Sequence, residues 1–289
     1  MSIPVVLDTD IGTDIDDTWA LALALASPEL DVRLITTVSG DVDYRARVAA
    51  GLVAGTGIPI ATGIGGGARV RPEQPQRGLA SEGAGADIAA NGIDSLLAVA
   101  AEPVTIIALG PLTNLAVALE RDPSIAERAR VVAMVGSVRL GYRGQPGAMV
   151  EYNALVDVPA VRAVFTAPWD VLITPLDTCG TVLLRGDDYQ RVRAAASPIT
   201  ARVLATYREW LGDDESGLFD RRSTTLYDCV AVHLAHDESL YEIEELPLAI
   251  DDDGLMRIED GAPSVRVASR WRDADAFVAH LTERLSSDR

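Results

Sequence analysis

Ile3-Pro4-Val5-Val6-Leu7-Asp8-Thr9-Asp10-Ile11-Gly12-Thr13-Asp14-Ile15-Asp16-Asp17 begins as an unbroken apolar run and then turns abruptly acidic. Ile3–Leu7 reads as a buried strand, because a short continuous apolar run closed by a polar turn suits a strand covered on both faces. Asp16–Ala26 reads as a helix that ends before Pro28, with two acids in its first turn, where the helix dipole favours them. Val32–Val38 is the next strand. Strand, helix and strand in this order form a βαβ unit and require parallel pairing.

The alternation continues outward from this unit. Helices are expected at Asp43–Val53, Asp94–Ala101, Asn114–Glu120 and Val158–Phe165, and strands at Ile58–Ala61, Val104–Leu109, Arg130–Val135 and Val171–Thr174. Helices dominate from Asp187 to Ala235. Strand-like Leu246–Ile250 and Ser264–Ala268 and a last helix, Asp273–Leu285, follow. The expected fold is α/β: one domain over residues 1–289, built on an open, mainly parallel doubly wound sheet, with added C-terminal helices and a short strand pair. Two polar stretches, Gly63–Gly67 with Arg69–Gln76 and Arg208–Arg222, read as surface loops able to cover a site.

Open α/β sheets bind ligands beyond the carboxyl ends of their strands. The unusual residues of this chain collect there. The acidic run follows the first strand, Ser39-Gly40-Asp41 the second, Gly110-Pro111-Leu112-Thr113-Asn114 the Val104 strand, and Gly136-Ser137 the Arg130 strand.

Five aspartates lie between positions 8 and 17. Carboxylates packed so closely must take up protons or gain a cation. A hard cation such as Ca²⁺ suits them, since it takes about six to eight oxygen ligands. Capping and solvation explain one or two of the five, but not Asp8, which directly follows a buried strand. An EF-hand loop is excluded because Gly12 and Trp19 occupy its fifth and twelfth positions. A haloacid-dehalogenase-like phosphatase also opens strand-Asp-x-Asp, but it wants Thr or Val at Gly12 and a later lysine.

The chain has no lysine, so Schiff-base chemistry and a Walker A phosphate loop are excluded. Its net charge of -18 argues against general nucleic-acid or anionic-membrane binding and suits a protein that binds cations or a neutral small molecule. Cys179 and Cys229 lack metal-ligand spacing and read as buried free thiols, which fits a reducing cytoplasm. The first residues lack the basic and long apolar regions of a signal peptide, and no apolar stretch is long enough to span a membrane.

With these motifs placed, the sequence resembles the inosine-uridine preferring nucleoside hydrolase family. Asp8-Thr9-Asp10-Ile11-Gly12…Asp16-Asp17 resembles the family's opening signature, with two extra residues before the last Asp-Asp pair. Leu109-Gly110-Pro111-Leu112-Thr113-Asn114, Glu151-Tyr152-Asn153 with Asp157, and Tyr227-Asp228 with Ala231-Val232 resemble three later segments in the same order. The resemblance implies that Asp8, Asp17, Asp228 and the Leu109 carbonyl hold Ca²⁺, and that Asp10 is the general base towards a water held by the ion. It implies that Asp16, Glu151 and Asn153 bind ribose hydroxyls. It further implies hydrolysis of the N-glycosidic bond of a ribonucleoside to ribose and free base, and assembly as a homodimer or homotetramer.

Three positions depart from the family pattern. Asp41 stands where Asn is common, Gln145 where a second Asn contacts the ribose, and Tyr227 where a His helps protonate the departing base. Tyr227 is the residue left to serve as that acid. Tyr142, Tyr207, Trp210 and Phe219 are candidates to stack on the base, with ordinary helix packing as the competing reading for Tyr207 and Trp210. Trp19 falls on an alternating Ala/Leu helix and reads as core, and Cys229 as packing. His233, His236 and His280 match no family position, and His236-Asp237 reads as a surface helix end.

Overall fold

The computed structural model describes residues 2–67, 69–71 and 76–287. Part of the Arg69–Gln76 loop therefore lies outside the described residues. Ten strands form one sheet: β1 Ile3–Thr9, β2 Leu30–Thr37, β3 Ile60–Thr62, β4 Ile88–Ala89, β5 Val104–Ala108, β6 Ala129–Met134, β7 Val171–Thr174, β8 Tyr241–Ile250, β9 Met256–Ile258 and β10 Ser264–Trp271. Their order is β4-β3-β2-β1-β5-β6-β7-β10-β8-β9. Every pairing from β4 to β10 is parallel, and β8 runs antiparallel to both β10 and β9.

The central strands are apolar throughout because both faces are covered. On one face Val5, Leu7, Ile35, Ile107 and Val132 pack beneath the helix Asp16–Leu25 and its fully buried Trp19. On the other, Val6, Leu34, Ile106, Val131 and Ile173 pack beneath the helices Thr113–Arg121 and Val158–Thr166. Neighbours along each strand thus alternate between two cores, each fully buried aliphatic contributing roughly 1.5–3 kcal/mol. The two cysteines are free and buried, as the sequence implied.

The order of the strands reverses direction between β1 and β5. Helices that cross on opposite faces part there and leave a crevice beyond the carboxyl ends of those strands. Backbone bonds fix the crevice floor: Leu109 N–H donates to the Asp8 carbonyl at 2.7 Å, and Val38 N–H to the Thr9 carbonyl at 3.0 Å. Gly110 is required by this closeness. A Cβ there would lie 2.8 Å from Val38 Cγ1 and 3.0 Å from the Asp10 nitrogen. Gly110→Ala is expected to destabilise the protein by about 1–3 kcal/mol, read from urea unfolding.

Several boundaries differ from the sequence reading. The expected strand Leu246–Ile250 begins at Tyr241, β10 runs on to Trp271, and the pair they form extends the main sheet at its edge. The strands β4 and β9 and the helix Arg77–Glu82 were not expected. The stretch Arg208–Arg222 is only partly a loop: it starts inside the helix Pro198–Leu211 and contains a helical turn, Leu218–Arg221. Among the described residues, no helix is long and apolar enough to cross a membrane.

Candidate active site

A cavity of about 370 Å³ opens in the crevice between the β1 and β5 ends, within the size range of small-molecule sites. Asp10, Asp16, Asp17, Leu109, Gln145, Glu151, Asn153, Tyr227 and Asp228 all line it. Residues from five separate parts of the sequence thus converge around one cavity.

The acids are held in place by local structure. Gly12, at a φ of 106°, turns the chain after β1 so that Asp16 and Asp17 enter the first turn of their helix facing back towards Asp10. The Thr9 hydroxyl donates to Asp17 Oδ1. Asp228 arrives from the first turn of the helix Tyr227–Leu234. One carboxylate oxygen from each of Asp16, Asp17 and Asp228 lies within 4.8 Å of the others. Asp8, at the end of β1, is fully buried; its Oδ1 accepts from Thr36 Oγ1 at 2.6 Å and from Asn114 Nδ2 at 2.7 Å, while its Oδ2 has no hydrogen-bond partner among the described residues. Asn114 also donates to the Thr37 carbonyl and accepts from Ile64 N–H, so it ties together the ends of β1, β2 and β3.

Burial, and then mutual repulsion, push Asp16, Asp17 and Asp228 well above the ordinary carboxylate range. Burial also raises Asp8 to about 7, against the opposing hydrogen bonds from Thr36 and Asn114. One buried cation partly offsets this charge. The Arg45 guanidinium is fully buried, donates to the carbonyls of Ser39 and Ile11, and lowers the Asp10 and Asp17 carboxyls. Arg45 was missed, although it shares a helical face with the buried Val48, Ala49 and Leu52. The three converging carboxylates supply oxygen only, no imidazole or thiol lines the cavity among the described residues, and Asp8 is neither in the cavity lining nor in that convergent group. That donor set fits a hard dication.

Metal removal has a definite sign. The folded Asp8 and Glu151 carboxyls, both raised to about 7 chiefly by burial, keep protons that the unfolded chain releases near about pH 4. The native state binds more protons in that window, so metal-free protein loses stability as pH rises from about 4 to about 7. Thermal unfolding in chelator is expected to show Tm falling across that range, and Ca²⁺ to flatten the fall.

The opposite wall is held by side-chain hydrogen bonds to the backbone. Glu151 caps the helix Tyr152–Val156: its Oε1 accepts from Asn153 N–H at 2.7 Å, and its Oε2 from Gly136 N–H at 2.8 Å and Ala154 N–H at 3.0 Å. Asn153 Nδ2 donates to the carbonyls of Leu109 at 2.7 Å and Met134 at 3.0 Å. Asp177, also missed, accepts from the N–H groups of Val138, Arg139 and Leu140, holding the loop that leads to Tyr142 and Gln145. It follows β7 closely, so the rule that site residues follow strand ends would have found it. Asp157 caps the helix Val158–Thr166 and accepts from the Thr113 hydroxyl.

The aromatic wall differs from the expected one. Tyr142, Tyr152 and Tyr227 line the cavity, with Tyr142 and Tyr227 edge to face at 6.0 Å. Arg71 and Arg143 also line it, and the Arg71 guanidinium lies 4.6 Å from the Tyr152 ring centre. Tyr207 packs on Trp19, Trp210 and Phe219, and all three of Tyr207, Trp210 and Phe219 lie outside the cavity lining. Trp210, expected on the substrate, is not among the lining residues of this cavity; its Nε1 donates to the Thr13 carbonyl at 3.2 Å. Asp41 is likewise not brought to the cavity, because it caps the helix Val42–Leu52 by accepting from Tyr44 N–H at 2.9 Å. His236 does lie at a helix end, just past Leu234, but it is half-buried: its ring packs against His233 and His280, and its Nε2 has no hydrogen-bond partner among the described residues.

Known proteins of similar sequence and fold bear on the family of this chain. The pyrimidine-specific ribonucleoside hydrolase RihA of Escherichia coli is 32% identical, over 75% of this chain and 75% of its own length. A plant nucleoside hydrolase superposes with a TM-score of 0.79 at 25% identity, covering 99% of this chain and 100% of that one. A purine-preferring ribonucleoside hydrolase from Gardnerella vaginalis shares the fold, with a TM-score of 0.76 at 21% identity over 98% of both chains. The family model described as inosine-uridine preferring nucleoside hydrolase matches residues 5–279, nearly the whole sequence, and with that match the chain belongs to this family.

Proposed function

We propose that the chain is a Ca²⁺-dependent ribonucleoside hydrolase that releases ribose and free base. The observation that carries the proposal is the convergence of Asp10, Asp16, Asp17 and Asp228 on a cavity of nucleoside size whose far wall holds Glu151 and Asn153. Asp8, Asp17, Asp228 and the Leu109 carbonyl would hold the ion, and Asp16 lies close enough to share it. When bound, Ca²⁺ would supply a fixed positive charge that lowers the pKa of water beside it.

The chain's own groups account for the rest. Asp10 takes the proton of the attacking water as the sugar–base bond lengthens. The sugar carbon becomes oxocarbenium-like in that state, and the acidic floor stabilises the growing positive charge. Asp16, Glu151 and Asn153 orient the ribose hydroxyls, with Gln145 at the rim. The departing base meets Tyr227, Tyr142 and Tyr152 as stacking faces, and Arg71 and Arg143 as cations that can pair with a base leaving as an anion.

Tyr227 also supports a second reading, a hydrolase of an atypical riboside or a non-catalytic ribose binder. Burial pushes its phenol up to about 12, which makes it a poor proton donor to an ordinary base. Ribose release from inosine, uridine, adenosine, cytidine and guanosine, with Ca²⁺ and with chelator, separates these readings. Ca²⁺-dependent release supports hydrolysis and names the base class. Tight ribose binding without release from any of the five favours the second reading.

A further inference from the structure

Apart from the acidic cup, the structure brings together a second set of metal-binding side chains. The chain has three histidines, and all three converge. His233 lies in the last turn of the helix Tyr227–Leu234, His236 just beyond its end, and His280 on the final helix Ala274–Ser286. Their ring centres are 4.8–5.7 Å apart, and one ring nitrogen from each lies within 4.8 Å of the others. The Nε2 atoms of His236 and His280 are buried and have no hydrogen-bond partner among the described residues. Two unpaired imidazole nitrogens facing a third ring cost folding free energy unless a ligand satisfies them.

We propose that His233, His236 and His280 form a structural site for a zinc-type transition-metal dication. Imidazole selects such ions, whereas Ca²⁺ takes oxygen. A tetrahedral zinc with nitrogens at about 2.0–2.1 Å sets them roughly 3.3 Å apart, which small rotations of these rings reach. His233 carries the outer support that ligating histidines need. Its Nδ1 is 3.0 Å from the Tyr241 hydroxyl, and the tautomer that donates to that oxygen leaves Nε2 free for metal. Burial, and then the neighbouring imidazoles, hold His233 neutral, with its pKa pushed down to about 3. Glu29 acts electrostatically on His236 and His280 from nearby, with Oε1 accepting from Arg284, but it is not one of the three residues whose ligand atoms converge. Three protein ligands drawn from two elements leave the fourth position to water, and the ion's role is to fasten the final helix to the far end of the helix that presents Asp228.

The test is calorimetric titration of Zn²⁺ into chelator-treated protein, dialysed into excess Ca²⁺ so that oxygen-rich sites are already filled. One equivalent of Zn²⁺ is expected to bind and to raise Tm. His280→Ala and His236→Ala are expected to lose that equivalent while keeping the Tm rise produced by Ca²⁺, which shows that they fold. Co²⁺ provides an independent measurement on the unmodified chain: an intense visible absorption reports tetrahedral nitrogen-rich ligation. No Zn²⁺ uptake, uptake unchanged in both variants, or a weak octahedral Co²⁺ spectrum would overturn the proposal.

Discussion

Asp10→Asn is expected to lower kcat by about 10²–10⁴-fold, the range that loss of a positioned proton acceptor produces. Asparagine keeps the shape of the side chain and cannot take the proton. Asp10 is 6% exposed, and burial together with repulsion from Asp14 raises its carboxyl, while Arg45 lowers it. Neutralising it also relieves repulsion on Asp17 and Asp228, both of which it raises. The variant should therefore melt in chelator at or above the wild-type temperature, separating lost chemistry from lost fold. Ribose release near the wild-type rate would sink the assignment of Asp10 as base.

Asp228→Ala should divide stability from function even more sharply. In metal-free protein Asp228 is a buried acid, raised first by burial and then by Asp16, Asp17, Asp10 and Glu151. Its removal takes away repulsion, so Tm in chelator is expected to hold or rise. With the ion the sign reverses. A ligand at about 100 times its Kd stabilises the native state by about 2.7 kcal/mol, and the variant should lose most of that gain together with turnover. Thermal melts with and without Ca²⁺, run beside the ribose assay, check both halves. An unchanged Ca²⁺-induced Tm shift would remove Asp228 from the ligand set.

The parallel core was legible because its strands are apolar on both faces, and β7 matches its expected limits, Val171–Thr174. The edge was harder. Glu242, Glu244 and Glu245 break the apolar run of β8, so the sequence reading started the strand only at Leu246. In the fold, Glu244 pairs with Arg139 and Glu242 with Arg270, so the charged first half of β8, which β9 does not cover, is stable. At the site, the floor acids were legible from their crowding. Trp210 misled because an aromatic residue near a motif cannot announce which way it faces. Arg71 lies in an aperiodic polar loop that gave it no assigned direction, and the histidine cluster joins two helices whose approach no local pattern encodes.

The long separation between Asp17 and Asp228 sets an order of assembly. The ribosome delivers the crowded N-terminal aspartates early, with Arg45 as their nearest buried counter-charge. The last carboxylate arrives only after seven of the ten strands have been made. Until then the nascent chain carries an incomplete cage that holds a dication poorly, and the same crowding that later serves the ion disfavours premature closure of this edge. With the proposed ligand set, ion capture would come near the end of folding and would reward only a chain whose helix Tyr227–Leu234 has docked, so cation uptake would double as a check that the two ends of the polypeptide have met.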